Sequence, residues 1–214
     1  MVSVIQSFAI PLANSVVGEC VIADALIHAG NAHWPVLASR DLIALLKMTG
    51  DAAPLMATFA ALDDIALLEL EQPIDDVKPI PLYKGEGEEG ALVCIYGKGA
   101  TGNGLVGQYP GSPHRGQLRR AYNYITSADW KWLGYRFDEG AQGHPLEGML
   151  GDGDSGGPVL MKVNGADELV GLSDRKAWTG DLAGFRPGIY GMYSYQVRIS
   201  HFARWIESVI AANS

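Results

Sequence analysis

A serine sits between glycines in the stretch GDGDSGGP at 151–158. Glycine on both sides lets the backbone take a tight turn that no side chain could follow. A turn of that kind presents the Ser155 hydroxyl and aims the amides of Gly153 and Ser155 at one point. Two converging N–H donors stabilise the oxyanion of an acyl-transfer intermediate, so the chemistry on offer is nucleophilic attack on a carbonyl. An acid that could orient a base stands in DDIALL at 63–68. A carboxylate beside such an apolar run is partly buried, and burial without a partner is costly. The five histidines (His28, His33, His114, His144 and His201) and the distant Cys20 and Cys94 have no metal-ligand spacing, and no cofactor is expected.

Holding such a serine requires a rigid scaffold. Short β-rich runs at 16–22, 91–96 and 168–172 recur between Gly, Pro and Asp turn clusters, the rhythm of closed antiparallel barrels. Gly-rich loops cluster at 85–90, 97–111 and 140–157, where binding and catalysis tend to sit on a β scaffold. The run VLASRDLIALLKM at 36–48 fits a helix or a strand pair equally well. In ISHFARWIESVIAA at 199–212, Ile199, Phe202, Trp205, Ile206, Val209 and Ile210 form one stripe at helical spacing, which predicts an amphipathic C-terminal helix.

The chain has 214 residues, enough for one large all-β domain or two fused small barrels. A net charge of −8 disfavours nucleic acid and anionic membranes as partners. No run reaches the ~18 apolar residues of a transmembrane span. The start, MVSVIQSFAIPLANS, lacks the basic flank and cleavage site of a secretory signal. With only two cysteines, both expected as small buried groups in strands, a reducing cytoplasmic compartment is favoured over a secreted mature domain. Composition sets no oligomeric state.

GDSGGP at 153–158 resembles the nucleophile loop of the chymotrypsin/trypsin family of serine proteases. DIALL at 64–68 resembles the segment carrying that family's triad aspartate, which makes Asp64 the match and Asp63 the register alternative. RPGIY at 186–190, then Trp205 and Ile206, resemble its P-G-V-Y strand and terminal W-I helix, and GKG at 97–99 its G-W-G turn less closely. The matches span roughly 20–212 in the family's order. The resemblance implies two six-stranded antiparallel barrels with a C-terminal helix in one peptidase domain. The N-terminal barrel would cover about 1–85, the C-terminal barrel about 86–198 and the helix about 199–212. It also implies a protein or peptide substrate, with serine, histidine and aspartate acting in sequence.

The histidine is the departure. The family's base ends an apolar-apolar-Thr-Ala-Gly/Ala-His segment, and aligning ALIHAGN at 25–31 puts Asn31 at its place. Asparagine takes up no proton near neutral pH. Three readings stay open: a deliberate His-to-Asn replacement, a natural pseudoenzyme that binds without cutting, or a slipped register that makes His33 the base. His28 lies too close to the strand to serve and is expected to pack beneath the site.

By the resemblance, Asp154 is the aspartate that pairs with a freed terminal amine. No Ile-Val-Gly-Gly-like start precedes the first matched strand, so Asp154 needs another donor. The cystine beside the base is missing too, with Ala32 in place of a cysteine. Family register puts Met149 at the base of the primary pocket, Gly188 on its wall and Ser173 on the strand that pairs with substrate. An apolar base without a carboxylate predicts a small or medium apolar side chain before the cut. Asp174 and Arg175 would narrow the pocket or select charge, and Asp152 would favour a basic residue after the cut.

Overall fold

The computed structural model describes residues 3–6, 27–29, 50, 53–61, 63–69, 76–112, 116–177 and 184–212. Alternation governs its strands. Along β10 (Pro158–Val163), Val159 and Met161 join one buried cluster while Leu160 joins another. Successive side chains of a strand point to opposite faces, so each face needs its own apolar cover. The first cluster fills the barrel with Val93 and Ile95 of β4 (Leu92–Gly97), Leu133 and Tyr135 of β9 (Trp132–Arg136), and Val170 of β11 (Ala166–Ala177). The second cluster lies outside the barrel.

There, Leu160, Leu169, Leu172 and Trp132 pack against Ile199, Phe202 and Ile206 of α2 (Ile199–Ala212). Ile65 and Leu67, beside and within β3 (Ala66–Glu69), join the same cluster. Each such side chain, fully buried, stabilises by roughly 1.5–3 kcal/mol. The helix covers the span its apolar stripe predicted. Ile210 is the exception, 37% exposed at the fraying end.

The barrel closes through a bend. β7 (Arg119–Tyr124) pairs with β4, and β8 (Ser127–Ala128), three residues on, pairs with β9. At the bend, the Ile125 N–H donates to Ala91 C=O and the Thr126 N–H to Gly134 C=O. The sheet order β7-β4-β10-β11-β12-β9-β8 therefore begins and ends on one bent segment, with β12 (Tyr193–Arg198) next to β11. Counting that segment as one strand gives the six strands expected of this barrel. The wall curls back on itself and leaves few free edges.

The N-terminal part contributes β1 (Ser3–Gln6), β2 (Ile27–Ala29) and β3 in the order β1-β3-β2. β5 (Gly102–Asn103) and β6 (Gly107–Gln108) form a small separate hairpin. The whole is the all-β architecture with a C-terminal helix that the resemblance implies. One helix was not anticipated: α1 (Ala53–Ala61), an Ala-rich run with Pro54 in its first turn, where proline is tolerated. Its final carbonyls are met by Lys131 and by Trp132, the first residue of β9. The Trp132 Nε1–H donates to Ala60 C=O at 3.0 Å, and Lys131 Nζ donates to Ala61 C=O at 2.8 Å.

The expected strand at 16–22 and the ambiguous run at 36–48 lie outside the described residues. No helix among the described residues is long and apolar enough to cross a membrane.

Candidate active site

The turn at 151–157 is tied down from several sides. Within it, the Asp154 N–H donates to Gly151 C=O and the Gly157 N–H to Asp154 C=O. From outside, the Ala100 N–H reaches Asp152 C=O at 2.8 Å. On β11, the Gly156 N–H donates to Ser173 C=O at 2.7 Å and the Ser173 N–H to Gly157 C=O at 2.9 Å. Gly153 sits at φ +93°, a conformation that a side chain would strain. Among the described residues, no loop carbonyl accepts the Gly153 or Ser155 N–H, the two amides the sequence singled out. Gly153 is exposed at this turn and Ser155 is half-buried.

Asp154 finds its donors in the backbone. Its Oδ1 accepts the Gly99 N–H at 2.6 Å and its Oδ2 accepts the Gly151 N–H at 2.8 Å. The GKG stretch is small because the acid lies against it: a Cβ on Gly97 would fall 1.9 Å from Asp154 Oδ1. Asp152 is also engaged. Its Oδ1 meets Lys176 Nζ at 2.5 Å, its Oδ2 accepts Gln108 Nε2–H at 2.9 Å, and its N–H donates to Gln108 Oε1. A basic substrate residue would compete there with the chain's own ammonium.

The two aspartates separate cleanly. Asp63 pairs with Lys131 at 2.9 Å and so anchors the segment leaving α1. Asp64, one residue on, lies near enough to Asp174 to hold down that carboxyl's affinity for a proton. Asp174 C=O in turn accepts the Ser155 hydroxyl across 3.5 Å, a long contact. Asp63 is thus engaged by Lys131, while Asp64 lies near Asp174, whose carbonyl meets the serine hydroxyl.

Asp174 and Arg175 engage each other: both side chains are buried and ion-paired. The Arg175 guanidinium lies 4.0 Å from the Trp132 ring centroid and 5.0 Å from that of Tyr195. Facing aromatic rings and an adjacent acid hold a cation in place more strongly than water does. Burial pushes the Asp174 carboxyl above the usual carboxylate range, against the partial opposition of Arg175 and Asp64.

The remaining candidates are scattered. Met149 lines a cavity of about 220 Å³ with Gly97, Gly99, Arg120 and Asp154, a set that includes neither Ser173 nor Gly188. Ser173 is fully buried, with its backbone turned to the serine loop. Gly188 lies at φ +84° beside the β5–β6 hairpin. Asn31, His33, His114 and Cys20 lie outside the described residues, as does the His28 side chain. Cys94 is a half-buried thiol on β4. His144 stacks on Tyr122 and accepts the Leu146 N–H, while His201 packs edge-on against Trp130 and Phe202. Burial holds the His201 ring below the usual imidazole range.

Sequence reasoning missed Asp174 as a neighbour of Asp64, and Lys176 with Gln108 as the holders of Asp152. A signal was there: three charged residues in a row, Asp174, Arg175 and Lys176, continue a strand whose preceding residues are buried. Charges in such a place need partners.

No curated protein matches the chain at significant similarity. The family model for Trypsin matches residues 51–206, which run from the approach to α1 through the serine turn into α2. That span covers most of the chain and contains the closed barrel, the Asp64 segment and the GDSGGP turn, so the chain belongs to the trypsin family of serine proteases.

Proposed function

We propose that this chain is a serine endopeptidase domain in which Ser155 is the nucleophile, Asp64 orients the base, and the amides of Gly153 and Ser155 receive the oxyanion. One observation carries the reading. The GDSGGP turn is pinned by backbone bonds to β11 and to Ala100 and by the Asp154 carboxylate, with Gly153 at φ +93° directly ahead of Asp154 and the serine. Ser155 Oγ attacks the scissile carbonyl carbon and passes its proton to the base. The carbonyl oxygen becomes an oxyanion and takes the two N–H bonds. The leaving amine departs with the proton, and water then hydrolyses the acyl-enzyme by the same steps in reverse roles. Removing one such donor typically lowers turnover by about 10²–10³.

The base defines the second reading. With His33 as base the cleft cuts. With Asn31 at the base position it holds a peptide without cutting, because losing the base in a serine protease costs on the order of 10⁶ in turnover. Labelling by a fluorophosphonate separates the two. Labelling of the unmodified chain, lost in Ser155→Ala and in His33→Ala, supports a peptidase based on His33. Labelling that appears only with Asn31→His supports a cleft silenced at one residue. Absence of labelling in both forms sinks the peptidase reading and leaves a peptide-binding module.

A further inference from the structure

The peptide unit that carries the Gly153 N–H is gripped from a hairpin that the serine mechanism does not call for. We propose that Gln108 is a positioning residue of this site: through Asp152 it fixes the direction of the Gly153 N–H. The inference rests on the assignment above of Ser155 as nucleophile and of Gly153 as an oxyanion donor.

A trans peptide unit is planar, with its C=O and N–H pointing opposite ways, so a bond that fixes one fixes the other. The Gly153 N–H shares its unit with the Asp152 carbonyl, which accepts the Ala100 N–H at 2.8 Å. The Ser155 N–H shares its unit with the Asp154 carbonyl, which accepts the Gly157 N–H at 2.9 Å. The two donors therefore differ in the source of their anchor. Ser155 is anchored inside the turn, and Gly153 is anchored from a distant segment of the chain.

Gln108 completes that second anchor. The Asp152 N–H donates to Gln108 Oε1 at 2.9 Å, and Gln108 Nε2 donates to Asp152 Oδ2 at 2.9 Å. A carboxamide offers a donor and an acceptor together, and here one side chain uses both on one residue. Asp152 is thus held at its N–H by Gln108, at its C=O by Ala100 and at its carboxylate by Gln108 and Lys176. The grip has a reason. Asp152 and Gly153 are exposed, and Gly153 has no Cβ to limit its backbone at φ +93°.

The hairpin is itself fixed. Gln108 ends β6, pairs with Gly102 of β5, and donates its N–H to Pro187 C=O at 2.7 Å. The Tyr109 N–H donates to Thr101 C=O at 2.9 Å, and the Thr101 N–H to Ser112 Oγ at 2.7 Å. At the tip, Asn103 Oδ1 accepts the N–H groups of Leu105 and Val106. Ala100 and Gln108 therefore flank one small bonded body and reach Asp152 from it together. Loop and turn pack backbone to backbone, since a Cβ on Gly151 would fall 2.2 Å from the Ala100 carbonyl oxygen. Donors that stabilise an oxyanion act by standing in place before the charge develops. Gln108 makes no bond to the substrate.

Three measurements test this, one of them independent of any activity. The first is amide hydrogen exchange over 97–102 and 151–157 in the unmodified chain and in Gln108→Ala, with denaturant unfolding alongside. The Ala100 amide is the informative one, because Gln108 does not touch it. Its exchange should quicken by about tenfold or more while the unfolding midpoint stays in place. Unchanged exchange at Ala100 would overturn the clamp. Gln108→Glu keeps size and acceptor but sets a second carboxylate against Asp152. It should act in the same direction near neutral pH, so a folding defect in one variant leaves the other to decide.

The second is the rate of fluorophosphonate labelling at Ser155, in whichever of the unmodified and Asn31→His forms labels. Gln108→Ala should slow it by about tenfold to a hundredfold. The third is the phosphorus NMR shift of the labelled serine, whose phosphonyl oxygen takes the oxyanion position. It should move toward the shift of the same adduct in unfolded protein. Equal rates and equal shifts would overturn the positioning role and leave the peptidase reading standing. If exchange quickens but nothing labels in any form, the clamp stands and the peptidase reading falls.

Discussion

Glu88 and Asp174 are both buried acids with an arginine beside them, and folding moves their proton affinities in opposite directions. Glu88 is fully buried, yet its carboxyl is held below the usual range. Burial alone would raise it, but Arg198 Nε and Nη2 donate at 2.8 and 2.9 Å and Ser200 Oγ at 2.7 Å. Asp174 has a single arginine, and that arginine is shared with two aromatic rings. Its other neighbour is an acid. Donor count explains the contrast: a carboxylate with a forked guanidinium and a hydroxyl is solvated by the protein, whereas one with fewer donors does not offset its burial. The first arrangement pins the loop at 85–90 to the start of α2. The second leaves a frustrated group one residue from the serine, and such groups concentrate at functional sites.

The largest expected break of this contrast is Glu88→Ala. It leaves Arg198 largely buried without its acid, and the loss should be about 3 kcal/mol in the unfolding free energy measured by denaturant near neutral pH. A loss no larger than that of a surface substitution would remove Glu88 as a clamp. The pH dependence has a definite sign. An acid whose proton affinity is lowered by folding lends stability that is complete above its unfolded pKa and lost as pH falls through the folded value. Glu88→Gln should therefore flatten the acid limb of the stability curve, opposite in sense to Asp174→Asn.

A smaller effect is expected of Arg175→Gln. It removes a cation stacked on Trp132 and the counter-charge of Asp174, at a cost of about 1–2 kcal/mol. It should also move Asp174's loss of its proton to higher pH, visible in unfolding by denaturant across the acid-to-neutral range. Smallest is Lys176→Met. Asp152 is half exposed and keeps its Gln108 bonds, so stability should change by less than about 1 kcal/mol. A larger loss would mean that the Lys176–Asp152 pair, rather than the backbone ties, holds the serine turn.

Much of this molecule was legible residue by residue. The serine turn was readable because its glycines speak for backbone angles at their own positions, and Gly153 does adopt a left-handed φ. The C-terminal helix was readable because Ile199, Phe202 and Ile206 recur at the period of a helix and bury one face. The strand runs near 91–96 and 168–172 were readable as β-rich runs set between Gly, Pro and Asp turn clusters. Helix α1 went unanticipated because its composition is apolar all round and has no stripe to mark a face.

The pairing of Asp63, by contrast, depended on Lys131 arriving from some seventy residues away. Asp154's bond to the Gly99 N–H was equally hidden, because the two lie far apart in the chain order. Turn geometry and burial period are properties of near neighbours, and the sequence by itself determined them. Which polar group meets which depends on the strand order and on the bend at Ile125 and Thr126 that closes the sheet. Only the tertiary structure decided that, because a buried charge takes its partner from whatever strand lies beside it.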